Sequence, residues 1–340
     1  MALLAALPLA CTRRASPPED PLGRAVTALR ALALPDGRVP SSTYGFMREG
    51  HSTTALLALA LPVGPLKEGA LAWLDTQLQR GPLGLAGPAL DYPVYATSIG
   101  LRALLLSMAG PRFQPAVDWL LDQQLLAGWE GDPVHGGFGM GRAPGQAAPT
   151  PPFPGHVDLS MTRRALQALA LAERTSRIQA ALQAGAAFVH RCRAGDGGFV
   201  YSPGELALNK SALVPGVETA ASAADHRGYG SATADGILAL RAVGEEDEAA
   251  IRWLRANHRV DRNPGLEGAP IEAYAEAMRF YYRAAAAEAL AGQEGWQAPL
   301  REAILAEQGA DGLWRNALAL QKEDDPVIAT GLALLALSYA

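Results

Sequence analysis

The stretch AILAEQGADGLW (303–314), joined through residues 315–324 to DPVIATGLALLAL (325–337), decides the fold. It reads as an apolar helix, a Gly-containing turn closed by an aromatic, and a second helix that runs almost without interruption in Ala and Leu. The same unit recurs along the chain. Residues 116–129 (AVDWLLDQQLLAGW) lead through HGGFG (135–139) to HVDLSMTRRALQALAL (156–171). Residues 184–199 (AGAAFVHRCRAGDGGF) lead to RGYGSATADGILAL (227–240), and AAIRWLRANHRV (249–260) to IEAYAEAMRFYYRAAAAEAL (271–290). Two earlier copies pair 69–79 with 91–106 and 25–37 with 51–61.

One register aligns these copies. Thr54, Thr97, Thr162, Thr233 and Thr330 each precede an Ala-Leu pair by six and seven residues. The fifth copy departs from the pattern, with Ala277 in place of the Thr. The second helices, such as GLALLAL, are apolar on most sides and must be covered on most sides, whereas first helices such as IRWLRANHR are amphipathic. An inner ring of buried helices inside an outer ring of half-exposed ones satisfies both. The chain also ends on an apolar helix, where an open array would need a polar cap. The prediction is an all-α fold, an (α/α)6 toroid of six helical hairpins, forming a single domain over residues 21–340.

Composition fits a large helical core. Of 340 residues 49% are hydrophobic and 19% charged, and aromatics are only 6%, so Ala and Leu supply most of the apolar content. A net charge of −5 without a basic stripe argues against nucleic acid as a partner. Cys11 and Cys192 are too few for a disulfide scaffold or a Cys-based zinc site. Lysine occurs only at Lys67, Lys210 and Lys322, which reads as genome composition. No apolar run approaches the ~20 residues of a membrane span. Residues 1–11, MALLAALPLAC, have the outline of a bacterial lipoprotein signal with Cys11 as the lipidated residue, followed by a Pro-rich tether to residue 20. Arg13 and Arg14 directly after the cysteine oppose translocation. Both an envelope lipoprotein and a cytoplasmic protein therefore stay open, and the lipid anchor is the one membrane contact expected.

The Gly-aromatic turns DGGF (196–199) and DGLW (311–314), with the W-L-x-x-Q style segment at Trp119, resemble the repeats of squalene–hopene cyclases and protein prenyltransferase β-subunits. The stretch from RGYGSATADGILAL to the YY at 281–282 is similar to envelope-targeted bacterial members of that superfamily. The resemblance spans roughly residues 25–340 and implies the terpenoid cyclase/protein prenyltransferase fold. The activities it implies need residues that are missing. A D-x-D-D motif is absent; the nearest run is Glu323-Asp324-Asp325, with Lys322 at the position of the first Asp. Ile328 stands where the zinc-binding His of the prenyltransferases would align, RGYGSAT carries no Asp-x-Cys, and there is no D-D-x-x-D.

The inner helices of a toroid run parallel, so their N-termini converge on one rim, where free N–H groups and positive dipole ends suit an anionic head group. His51, Asp91, His156, Asp158, Arg227, Glu272 and Asp325 are placed there. Asp91, Asp158 and Asp325 also have the placing of helix N-caps. The adjacent carboxyls of Asp324 and Asp325 are the best placed for acid catalysis, which needs one of them raised in pKa. His51 with His156-x-Asp158 offers a mixed N/O donor set but no metal spacing, and no cofactor is expected. Tyr92, Tyr95, Tyr229, Tyr274, Tyr281 and Tyr282 lie on or beside inner helices, to line a cavity or to pack the ring. Two inserts, Gly141–Gly155 and Ser202–His226, should cover the same rim. Three functions follow: an apolar, isoprenoid or lipid ligand in a central cavity, a terpene cyclase-like or prenyl-transferring enzyme using Asp324 and Asp325, or an interaction scaffold. Ala and Gly around an open centre would favour a ligand, and Leu filling it a scaffold.

Overall fold

A computed structural model of the protein describes residues 20–86, 89–107 and 113–340. Six hairpins follow one another. Helix α1 (Pro21–Leu32) precedes α2 (His51–Ala60), α3 (Pro65–Arg80) precedes α4 (Pro93–Ser107), and α5 (Gln114–Asp122) precedes α6 (Leu159–Leu169). Then α7 (Ser176–Arg191) precedes α8 (Gly230–Ala242), and α9 (Glu248–Asn257) precedes an inner helix split into α10 (Tyr274–Ala277) and α11 (Arg279–Ala289). Helix α12 (Gln297–Ala306) and α13 (Pro326–Leu337) close the chain. Two short strands, β1 (Phe138–Gly139) and β2 (Val157–Asp158), pair antiparallel in the loop before α6.

Burial separates the two rings as the residue patterns require. In α8 every residue from Gly230 to Leu240 is buried, while in α9 Ala250, Ile251 and Leu254 are. The inner helices touch in the order α2, α4, α6, α8, α11, α13 and back to α2, so the ring closes. The outer helices sit over the seams: α3 packs on α2 and α4, and α7 on α6 and α8. Helix α1 packs on α13. The seam is stitched by Gln308, whose amide donates to the Pro21 carbonyl and accepts from Arg24. Among the described residues no helix is long and apolar enough to cross a membrane.

The repeated Thr has one job. Its buried Oγ accepts a hydrogen bond from the backbone N–H that closes each turn: Val39 to Thr54, Leu83 to Thr97, Phe138 to Thr162, Phe199 to Thr233 and Trp314 to Thr330, at 2.8–3.0 Å. The turn is thereby pinned against the second turn of its inner helix, and a buried N–H that no helix could satisfy finds a partner. The copy without the Thr is the one whose inner helix breaks, at Met278, and there Asn263 N–H goes to the Ala275 carbonyl instead. Turn glycines allow the next hairpin to come close. Gly136 has φ 86°, and a Cβ there would stand 2.1 Å from the Ala184 carbonyl oxygen of α7.

Candidate functional site

The N-terminal turns of α2, α4, α6, α11 and α13 do meet on one side of the ring, but polar side chains already cap most of the inner helices. Asp325 accepts from Val327 N–H and Ile328 N–H at the start of α13 (2.8 and 3.1 Å), and Ser41 donates to its other oxygen. Asp158 accepts from Met161 N–H in α6. Asp91, from the following hairpin, takes both the N–H and the hydroxyl of Ser52 in α2. Asn263 takes Ser231 N–H in α8. Glu323 takes Phe280 N–H and Tyr281 N–H at the start of α11. The expectation of free N–H groups for an anionic head is thus corrected for α2, α6, α8, α11 and α13, where side chains take up the first N–H groups. Asp324 accepts from the Tyr44 hydroxyl at 2.6 Å.

Inside this ring of caps lies a cavity of about 200 Å³. Its apolar wall is made of Met47, Met140, Met161 and Met278 with Leu56, Ile328 and Leu332. Four of the six methionines in the chain therefore face one space. The polar wall holds Tyr95, Tyr281, Tyr201 and Ser160, and three ionisable groups from loops, Lys210, Lys322 and Glu323. Lys210 comes from the second insert, which is pinned by the reciprocal bonds of Ser202 and Asn209. Its ammonium stands 4.0 Å from the Tyr201 ring centre and 5.4 Å from that of Tyr274, and burial lowers its pKa. Lys322, in a left-handed conformation (φ 63°), holds its ammonium 5.6–5.9 Å from the rings of Tyr44, Phe46 and Tyr92. Glu323 is pushed up to about 7 by burial, against the opposing pull of its N–H donors and Asn316.

Beneath the cavity a charged network fills the ring axis. Arg163 bonds Asp235 at 2.6 Å and Glu288 at 2.5 Å, and Arg102 reaches the other Glu288 oxygen at 2.6 Å. Tyr281, on the cavity wall, donates to Asp235 at 2.9 Å, and Ser160 does so at 2.5 Å. Burial alone would raise the Glu288 carboxyl, but Arg163 and Arg102 outweigh it and hold the group at about 2. Arg164 is different. It is 2% exposed and makes no hydrogen bond or ion pair among the described residues, and its guanidinium carbon stands 5.6 Å from the Tyr95 ring centre and 5.9 Å from that of Tyr281.

Of the residues singled out from sequence, Tyr92, Tyr95 and Tyr281 line the cavity, and Tyr274 abuts it through Lys210. His51 lies off the cavity wall: its Nδ1 accepts from Gly84 N–H, its ring meets Trp73 edge-on, and burial lowers its pKa. His156 Nε2 stands 3.0 Å from both Asp158 Oδ2 and the Tyr201 hydroxyl. Tyr229 is buried with its hydroxyl unpartnered among the described residues, and Arg227 is exposed. No group of three or more His, Cys, Asp or Glu side chains is arranged to hold a metal ion among the described residues. Cys11 and the proposed signal lie outside the described residues. The lysines and the Arg163–Arg164 pair were missed as site residues. The available signal was the charge itself, two arginines in MTRRALQAL and single acids in ATADGILAL and AAAAEAL, on helices otherwise read as buried.

No protein-family model matches the chain, and no curated protein does. Solved structures do. A protein from Actinoplanes matches with a TM-score of 0.56 at 17% identity over 94% of this chain and 98% of its own. The unsaturated glucuronyl hydrolase of Bacillus sp. GL1, responsible for the degradation of glycosaminoglycan, matches at 0.56 and 16% over 94% of each. A type II terpene cyclase from Scytonema, in complex with merosterolic acid A, matches at 0.54 and 15% over 94% and 96%. The fold is that of the α/α toroids. At these identities the likeness extends to the architecture alone, and one architecture hosts both a glycan hydrolase and a terpene cyclase.

Proposed function

We propose that this toroid holds a small, largely apolar ligand in its central cavity. The observation that carries the reading is the cavity wall, where four flexible methionines and three branched aliphatic side chains surround open space at the ring centre. A scaffold with a filled centre would have no use for such a wall, and methionine suits a surface that adapts to an apolar guest. The wall meets neither extreme expected from sequence: it is open, but built of Met, Tyr and Leu rather than Ala and Gly. Its volume is below the ~300 Å³ at which drug-sized pockets begin. That favours a guest of about ten carbons over a C30 isoprenoid. The terpene cyclase with its merosterolic acid supports an isoprenoid guest by analogy of fold.

Geraniol is the test compound, with Ile328→Trp as the variant, since Ile328 faces the cavity. Native mass spectrometry should find a one-to-one complex with the full chain and lose it with the variant, whose circular dichroism stays helical. Equal binding by the variant, or no complex with the parent, would defeat the proposal. A second reading, proton-donating catalysis in the same cavity, is favoured by the neutral-range Glu323 on its wall. A cyclised product from geraniol that vanishes in Glu323→Gln, but survives Asp324→Asn, would establish it.

A further inference from the structure

The cavity is apolar in its walls but cationic in its charges. Lys210 and Lys322, two of the three lysines in the chain, both face it, and neither ammonium has a carboxylate or hydrogen-bond partner among the described residues. Both rest against aromatic rings instead. Glu323 is the one acid on the wall among the described residues, and both its oxygens are engaged by N–H donors. Asp158, the acid that acts on Lys210, gives one oxygen to Met161 N–H, and its other oxygen stands 3.0 Å from His156 Nε2. Under the floor the network joins Arg102 and Arg163 to Asp235 and Glu288, so these two cations and two anions balance, and Arg164 stands beside Tyr95 outside the ion pairs. The surplus charge is Arg164, whose Nε and Nη1 are buried without a partner among the described residues.

A buried guanidinium with unmet donors costs stability, and a protein keeps one where something else supplies the acceptor. That supply comes from the cavity side, because the rings flanking Arg164, Tyr95 and Tyr281, are cavity-wall residues. The Tyr95 hydroxyl likewise has no hydrogen-bond partner among the described residues, although Tyr95 lines the cavity. From the unpaired cations that converge on this space we infer that the guest carries one anionic head, a carboxylate or a phosphate, seated at the Tyr95–Tyr281 floor. Lys210 and Arg164 hold it there, and its short apolar tail lies along the methionines. The N-termini of α2, α6 and α13 are already filled by Asp91, Asp158 and Asp325, so side chains rather than helix dipoles hold the head. The inference rests on the ligand-holding reading above and names the class of ligand.

Isothermal titration of the full chain with octanoate, octyl phosphate and octanol separates the two. Octanoate or octyl phosphate should bind about tenfold or more tighter than octanol, the worth of one hydrogen bond to a charged group. The better of the two identifies the head. Lys210→Met and Arg164→Met should each reduce that preference severalfold through weaker binding of the anions, while octanol is still bound. Arg164→Met should also raise the melting temperature of the ligand-free protein, because it deletes an unpaired buried charge; this readout and the octanol control show that the variant folds. Octanol binding as tightly as both anions, or a preference that survives both variants, would overturn the anionic head and leave the cavity reading standing. Binding of none of the three would overturn both.

Discussion

A single hydroxyl accounts for the most regular feature of this chain. Each repeat Thr sits buried in an inner helix and accepts the N–H of the residue that closes its turn, as Thr330 does for Trp314 at 3.0 Å. Valine has nearly the same shape and no acceptor. Thr330→Val should therefore leave Trp314 N–H unpaired in the core and cost about 1–3 kcal/mol. Serine restores the oxygen and loses only a methyl. Thr330→Ser should recover most of the loss, as measured by urea unfolding at constant slope. Equal destabilisation by both variants would mean that the methyl contact, not the hydrogen bond, selects threonine. The repeat was legible because a role filled by one atom at one helical position leaves the same residue at the same spacing. Trp314 shows why aromatics also mark the turns: the indole fills space between hairpins while its own N–H reaches the Ile304 carbonyl.

At the scale of elements, α2, α6, α11 and α13 begin on acids because four N–H groups at each buried N-terminus need acceptors where water is scarce. Asp325 serves α13 from its own N-cap, and Asp91 serves α2 from the next hairpin, so a cap can also be a joint between units. Asp325→Ala should cost about 1–2 kcal/mol of stability by loss of the cap. Asp325→Asn, which keeps an acceptor, should cost less; guanidinium unfolding of the three proteins reads the order directly. Sequence showed Asp325 as a cap because Asp-Pro before an apolar helix is a local pattern. It did not show Glu323 as a cap, because that carboxyl serves α11, more than forty residues earlier in the chain. The cavity was hidden for a similar reason. Lys210, Lys322, Glu323 and Tyr201 reach it from loops, which have no period to read, and are brought together by closure of the ring. The arginines of α6 were visible as residues, but a helix buried on every side gives no signal of which face meets the ring axis.

The whole molecule is a closed ring whose axis is held by charge below and left open above. Arg102 of α4, Arg163 and Gln167 of α6, Asp235 of α8 and Glu288 of α11 tie four inner helices across the centre. Such a network makes stability depend on pH in a stated direction. The Glu288 carboxyl lies at about 2 in the folded ring and at its ordinary 4.5 when unfolded. Its contribution is complete above pH 4.5, because both states are then ionised, and shrinks as pH falls towards 2, because the unfolded chain takes up the proton first. The shift corresponds to on the order of 3 kcal/mol over that window. Glu288→Gln cannot titrate. It should be less stable than the parent by about 3–5 kcal/mol at pH 7, since Arg163 and Arg102 lose their shared partner in a buried site. Below pH 4.5 the gap should narrow, as the parent loses what the variant never had. Unfolding midpoints at constant ionic strength between pH 2.5 and 7 test this, and parallel curves for the two proteins would show that the arginines are satisfied by something other than the Glu288 charge. A narrowing gap would mean that the ring is locked from below by ion pairs, which frees the residues above the network to line a cavity rather than fill one.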